Sequence, residues 1–503
     1  MLVTTFSAAS NGIHGVVIEI EAASQRAIPR ILITGLPGDV IRESVERVRA
    51  CLSGLGFEVP SSRIVVHLSP ASAKKQGPQC DVAIAMAVLQ AEGLLKGVKN
   101  TPTAFLGELT LDGRIQPIES AMLLLQALER DDRVKTILLP RANGWQAALI
   151  ESRKTKLVDT LAQILSYLKG NLELDLPTHR PCEVPGVREA RHSIDQVMGH
   201  YLGKRALQIA LSGGHHLLLI GSPGVGKSML ASTATSLLPE LSTLQWIEVV
   251  QNYHHFPKQL PADKVPPFRA PHHGVSAAGL LGGGTGIIVP GEVTLAHHGV
   301  LFLDEFPEFR RDAIEGLREP LQNGTVQIHR IGNALELPAQ FTLIAAMNPC
   351  PCGNWLNPKA RCRCPMERVR QYQRRISGPI LDRIDLCVVL QTPDSSSPTL
   401  SSDVIRKGIL EAIHRQNSRN GLGRRNSQLM PSAERERFGF SASAEALWLS
   451  FGQSEAWNLR TLHKIARVAR TIADVEGMDT IQTQHIEEAR ALRCPDSSLP
   501  EFM

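Results

Sequence analysis

No stretch of this 503-residue chain stays apolar for the length of a membrane span without charges interrupting it, so helical membrane anchoring is not expected. The first residues, Met1-Leu2-Val3-Thr4-Thr5-Phe6, lack a basic region followed by a long apolar run, and a secretory leader is not expected either. A strong excess of one charge is also missing. With 54 Lys and Arg against 49 Asp and Glu the formal net charge is +5, so any nucleic-acid surface has to be local. Nine cysteines, an odd number unevenly spread, do not make the framework of a disulfide-rich secreted domain. These absences point to a cytoplasmic protein, and the length leaves room for about three domains, each able to bury its own core.

What is present is organised around residues 215–228. His215-His216 lead into the apolar run Leu217-Leu218-Leu219-Ile220, then comes Gly221-Ser222-Pro223-Gly224-Val225-Gly226-Lys227-Ser228, and a helical stretch runs from Met229 to Leu238. Strand, glycine loop and helix form the setting that a phosphate-binding loop requires. The glycines let backbone N–H groups turn toward a phosphate chain, Lys227 neutralises β and γ oxygens, and the Ser228 hydroxyl takes a place on Mg2+. ATP and Mg2+ are the expected cofactors.

A loop that holds ATP needs groups that read its γ-phosphate. A second apolar strand, Gly299-Val300-Leu301-Phe302-Leu303, ends in Asp304-Glu305. Asp304 can hold the magnesium shell, and Glu305, pointing the other way, can orient and deprotonate the attacking water. A third strand, Phe341 to Met347, delivers Asn348, whose amide could touch both the γ-phosphate and the water. Strand ends of this kind converge on one crevice in open α/β sheets.

Residues 1–170 have their own pattern. Val16 to Ile20, Ile31 to Ile33 and Arg63 to Leu68 read as strands, Asp39 to Leu52 and Asp81 to Gln90 as helices, and Phe105 to Ile115 as a hairpin turning at Asp112-Gly113. Lys75-Gln76-Gly77-Pro78-Gln79 and Gly107 to Ile118 resemble the two segments of Lon-type proteases that carry the nucleophilic serine and lead to the lysine. Gln79 stands where that family has serine and Met122 aligns with the lysine, so an S5-like α+β domain without peptidase chemistry is expected. Cys80, one position along, reads as a small buried thiol. A proline-punctuated linker over 171–195 follows, then helical spacing over 194–212 with Tyr201, Ala206, Ile209 and Ala210 on one side.

The ATPase core, expected over 196–393, carries insertions. One is glycine-rich, from Pro267 to Glu292; of the four His-His pairs starting at 215, 254, 272 and 297, none is expected to share a metal, because neighbouring side chains point apart. A second insertion reads as a hairpin, with Thr325 to Arg330 outward, a turn at Gly332-Asn333 and Ala334 to Leu337 returning. His329 and Arg330 near its tip make it either a finger for a threaded nucleic acid or a plain surface hairpin.

Cys350-Pro351-Cys352, nine residues, then Cys362-Arg363-Cys364 place four of the nine cysteines within fifteen positions. Two matched turns of soft ligands suit tetrahedral Zn2+, although the spacing is tighter than usual; reduced, unliganded thiols are the alternative. Arg361, Arg363, Arg368, Arg370, Arg374 and Arg375 crowd the same segment and could contact phosphates or a neighbouring subunit. Arg383, before a further apolar strand, reads as a structural ion pair with Asp382 or Asp385, or as a finger into the next subunit's nucleotide. Residues 394–503 read as a helical lid, with Asn458 to Val475 amphipathic, Leu459 on its buried side and Arg460 expected against phosphate.

Taken together, the loop from Gly221 to Ser228, Phe268-Arg269-Ala270-Pro271-His272-His273, Leu301-Phe302-Leu303-Asp304-Glu305, Asn348-Pro349-Cys350-Pro351-Cys352-Gly353 and the stretch from Ser377 to Leu386 resemble the magnesium-chelatase-like AAA+ family. The Lon-like domain, with Val45 to Ala50 and Val66 to Ala71, is similar to that of its YifB/ComM branch; Val65-Val66-His67 departs from the usual valine-asparagine pair. The resemblance implies a multidomain α/β protein: an amino-terminal Lon-protease-like domain, a P-loop AAA+ core with a parallel sheet, and a carboxy-terminal helical lid. It further implies a homo-hexameric ATPase with Lys227, Asp304, Glu305, Asn348, Arg383 and Arg460 in phosphate, metal, base, sensor, finger and lid roles. For this branch it implies a motor on single-stranded and branched DNA, working with recombination proteins in branch migration and natural transformation. The competing reading is a chelatase-type motor acting on a protein partner.

Overall fold

The computed structural model describes residues 2–11, 14–35, 38–58, 60–70, 77–95, 101–177, 192–284, 288–330, 333–355, 360–391, 400–430, 434–454 and 457–493. It divides into two compact units, Met1–Val187 with Thr243–Asp263, and Arg188–Ser242 with Lys264–Met503. The helix Thr243–Asn252 therefore packs with the amino-terminal unit although its sequence lies inside the stretch read as ATPase core. Most of the expected linker falls outside the described residues. Among those described, no helix is long and apolar enough to cross a membrane.

The first unit is built on a seven-stranded mixed sheet, in the order Arg30–Thr34, Arg63–Ser69, His14–Gln25, Leu2–Asn11, Thr103–Phe105, Thr136–Pro140 and Thr155–Val158. Leu2–Asn11 runs antiparallel to His14–Gln25 along ten residue pairs, yet its threonines and serines hide its apolar period. They are accommodated because the buried Thr5 and Ser7 hydroxyls donate to the Ala83 and Phe105 carbonyls, at 3.3 and 3.0 Å. The expected hairpin is shorter than read: Phe105 belongs to the main sheet, and only Glu108–Leu109 and Ile115–Gln116 pair around the turn. Gly113 takes φ +84° there, a conformation that side-chain-bearing residues resist.

In the second unit five strands are all parallel, ordered Phe268–Arg269, Val300–Leu303, Thr342–Met347, Leu217–Gly221, Leu386–Leu390. Parallel strands need cover on both faces, which is why they read as unbroken apolar runs. Leu217, Leu219, Ile344 and Val388 pack into one core and Leu218, Leu301, Leu343 and Ala345 into another. The hairpin Thr325–Arg330 with Asn333–Pro338 is present, but Asn333 belongs to the returning strand, paired with Arg330, rather than to the turn; Gly332 lies outside the described residues.

Helices Ser402–Asn420, Ala442–Ser454, Leu459–Val475 and Thr483–Ala491 complete this unit. Asn458 caps the third, its side-chain oxygen accepting from Thr461 N–H at 2.9 Å. Leu462, Ile465, Ala466, Ala469, Ile472 and Ala473 are buried as the spacing requires. Leu459 is not: in the first turn it is 73% exposed, because the capping turn faces solvent. Tyr201, expected on the buried face of Tyr201–Gly213, is also exposed, and the helical spacing before it resolves into a short 3-10 turn, Ile194–Gln196.

Candidate nucleotide site

The carboxyl edge of the parallel sheet collects the residues expected to handle ATP. Leu217–Gly221 leads into the phosphate loop, flanked by Thr342–Met347 and Leu386–Leu390, and its register sets Ile220 beside Met347 and Gly221 beside Leu390. The loop after it passes through Ser222, Pro223, Gly224, Val225 and Gly226. Gly224 and Gly226 both have positive φ, +75° and +98°, so the turn depends on them. Helix Lys227–Ser232 follows at once, continued by Ala234–Leu237.

Lys227 is buried. Its ammonium donates to the carbonyls of Gly221 at 2.7 Å and Ser222 at 3.0 Å, and to Asn348 Oδ1 at 3.0 Å. Burial pulls its pKa below the ordinary lysine value, while Asp304 and Glu305 oppose that shift. Ser228 donates its hydroxyl to Asp304 Oδ2 at 2.5 Å, so the two groups expected on one Mg2+ already share a point in space. The oxygens of Ser228 and Asp304 are hard donors that fit a magnesium ion bound with a triphosphate, whose role there is to neutralise phosphate charge.

Glu305 sits in a left-handed conformation, φ +51°. Its Oε2 lies 3.0 Å from His273 Nδ1. His273 follows the edge strand Phe268–Arg269, so a fourth strand end contributes to the crevice. In sequence the His272-His273 pair reads as an unpromising metal pair and as part of the segment that carries the family resemblance; its partnership with Glu305 needs the strand order to be known. His200, also unforeseen, hydrogen-bonds the Val225 backbone and lies close to Gly226.

Arg383 is placed apart from this group. Its guanidinium donates to the Arg318 carbonyl at 3.1 Å, the Pro379 carbonyl at 2.6 Å and the Gln322 side chain. Burial first, then the neighbouring Arg460 and Arg318 charges, lower its pKa. Neither expected ion pair forms with Arg383: Asp382 pairs at 3.4 Å with Arg460, and Asp385 lies 3.5 Å from His215. Arg460 thus stands beside Arg383. His329 and Arg330 lie at the end of their strand, paired in register with Ala334 and Asn333 respectively.

The four cysteines form a cluster. Sγ separations are 3.4 Å for Cys350 and Cys352, 3.7 Å for Cys350 and Cys362, and 3.6 Å for Cys352 and Cys362, and Cys364 offers its sulfur within the same 4.8 Å group. Tetrahedral zinc with Zn–S bonds of about 2.3 Å requires sulfur separations of about 3.8 Å, so the residues fit. Backbone N–H groups of Asn354 and Arg363 pull the Cys352 thiol down to about 6, whereas burial pushes Cys350 up to about 12.

In the first unit Gln79 and Cys80 are buried in the turn Pro78–Cys80, and Met122 is buried in helix Ala121–Arg130. Lys75 and Gln76 lie outside the described residues.

Comparison with known proteins agrees with this layout. Residues 193–397 match the family model described as magnesium chelatase, subunit ChlI; residues 20–143 match subunit ChlI of Mg-chelatase, and 399–493 the ChlI C-terminal model. The chain is 34% identical to YifB of Escherichia coli, covering 98% of this chain and 97% of YifB. It is likewise 34% identical to the competence protein ComM of Haemophilus influenzae, over 98% of this chain and 97% of ComM. A Lon protease of Mycolicibacterium smegmatis is 31% identical over 142 residues, 27% of this chain and 18% of that protein. Identity sustained along nearly the whole of both chains, over a magnesium-chelatase AAA+ core, a Lon-like amino-terminal domain and a helical carboxy-terminal region, means that this protein belongs to the YifB/ComM family of magnesium-chelatase-like proteins.

Proposed function

We propose that the chain is a Mg2+-dependent ATPase that assembles as a homo-hexamer and moves DNA strands, a helicase-type motor promoting branch migration and integration of incoming DNA in natural transformation. The observation that carries the reading is the division of the site. Lys227, Ser228, Asp304, Glu305 and Asn348 meet at one sheet edge, while Arg383 is held by carbonyl oxygens elsewhere on the same protomer. Such a division suits a ring in which one subunit grips the triphosphate and the next supplies the arginine that stabilises the transferred charge. Similarity to a competence protein supports DNA as the substrate, and Arg460 beside Arg383 supports a place for it at the same seam. The amino-terminal domain is read as a Lon-like scaffold without peptidase activity, since an amide and a thioether occupy the nucleophile and base positions.

Labelled three-way and four-way junctions incubated with ATP should be resolved by this chain and not by Lys227→Ala, with a loss of at least about 100-fold from removing the phosphate cation. An assembled, ATP-hydrolysing preparation that leaves every junction intact, yet is stimulated by a protein partner, would favour the chelatase-type motor instead. The cysteine cluster should hold about one zinc per chain, measured by metal analysis, and Cys352→Ser with Cys362→Ser should remove it. Full metal content in that double variant would sink the zinc assignment.

A further inference from the structure

We propose that the cysteine turn and the arginine-bearing helix after it, Met366–Gln373, grip the sugar-phosphate backbone of a DNA strand and are mounted directly on the ATP site. The inference rests on the DNA-motor reading and adds the surface and its link to the nucleotide. Arg361, Arg363, Arg368, Arg370 and Arg374 are exposed, and none has a carboxylate within ion-pair distance among the described residues. Glu367 is the single acid of residues 360–375, and Arg375 alone is paired there, with Glu308 at 2.5 Å. A chain whose whole formal charge is only +5 thus gathers on one short segment five guanidinium groups that have no ion-pair partner among the described residues.

The surface has the chemistry of a phosphate contact rather than of a protein interface. Protein interfaces centre on apolar and aromatic side chains. Here the aromatic Tyr372 is buried and Met366 is the single large apolar residue exposed between 360 and 375. Guanidinium forks instead suit the paired oxygens of phosphates spaced along a strand.

The same segment touches both halves of the nucleotide site. Gln373 donates its side-chain amide to the Pro349 carbonyl at 3.0 Å, one residue beyond Asn348, and the Tyr372 phenol hydrogen-bonds the Asn348 backbone. Gly353, at φ +76°, lies so close to the phosphate loop that a Cβ there would stand 2.3 Å from Pro223 Cδ. A shift of Asn348 or Pro223 on binding or splitting a triphosphate is therefore passed to the arginines without an intervening element, and strand binding acts back on the site by the same contacts.

The test uses the full chain with Arg368→Gln, Arg370→Gln and Arg374→Gln combined, sparing the arginine between the cysteines. Anisotropy of a labelled single-stranded oligonucleotide across a salt series should show the slope of log affinity against log salt falling by about 2, since each lost phosphate contact removes about 0.7. Stimulation of ATPase by the oligonucleotide should disappear, with DNA-free hydrolysis within about twofold of wild type, and the matching triple lysine variant should recover the slope. A glutamine variant with the wild-type slope overturns this surface while leaving the motor reading intact. Loss of assembly in the glutamine variant, with the slope kept per assembled particle, would make the segment a subunit interface and overturn it too. A wild-type chain that binds no DNA overturns both readings.

Discussion

Glu305→Gln should lower ATP hydrolysis by about 100-fold to 10,000-fold while nucleotide affinity stays near wild type. The carboxylate and the amide have nearly the same shape, so the substitution removes the capacity to accept a proton from water and little else. Binding is expected to survive because the groups proposed to face the phosphates, Lys227, Ser228 and Asp304, are left in place by the change. The contacts of the two adjacent acids support a division of labour between them: Asp304 points to Ser228, and Glu305 points to His273. Steady-state phosphate release alongside fluorescent-nucleotide titration separates the two effects. Hydrolysis within threefold of wild type would remove Glu305 from the role of base. His273→Ala offers a second reading of the same contact. Freed of a partner at 3.0 Å, Glu305 should remain competent, so that variant should lose far less than Glu305→Gln.

Arg383→Ala should depress turnover by about 1,000-fold or more, with assembly retained. Arg383 donates to the Arg318 and Pro379 carbonyls and to Gln322 rather than to Lys227, Ser228, Asp304 or Asn348, and in the proposed ring its effect is delivered across a subunit boundary. Mixing supplies the decisive arm. Arg383→Ala keeps an intact phosphate loop and Lys227→Ala keeps an intact arginine, and in a head-to-tail ring they complement at every seam where the first receives the second's arginine. Random one-to-one mixing should therefore restore activity at roughly a quarter of the seams, from two parents that are each inactive. Failure of the mixture to recover activity, with mixed rings verified, would mean that the arginine acts within its own chain. Wild-type turnover by Arg383→Ala alone would mean that it does not act on nucleotide.

The lid helix shows how far an apolar period can be followed. Spacing over Asn458 to Val475 placed the buried side well except at Leu459, whose position in the capping turn turns it outward. Arg470 lies on the same helix. In the fold it is fully buried, donating to the carbonyls of Phe438, Met478 and Asp479 and pairing with Asp474 at 3.0 Å. A buried guanidinium is tolerated when most of its donors are satisfied in this way, here all but Nε, and the satisfying carbonyls come from two loops that periodicity does not see. Leu2–Asn11 was missed for a related reason: buried hydroxyls look polar until their acceptors on other elements are known.

Local chemistry was legible from residue order alone. A strand, a glycine turn, a lysine and a serine are covalent neighbours, so Gly221 to Ser228 carries its own geometry, and the Asp304-Glu305 pair and the four cysteines are likewise set by short spacing. What only the folded chain decided is which distant pieces meet. Asn348 reaches Lys227 across 121 residues because their strands lie side by side in register, and His273 reaches Glu305 because an edge strand ends beside it. Strand order and register arise from the packing of whole sheet faces, a sum over many weak contacts that no motif of a few residues encodes.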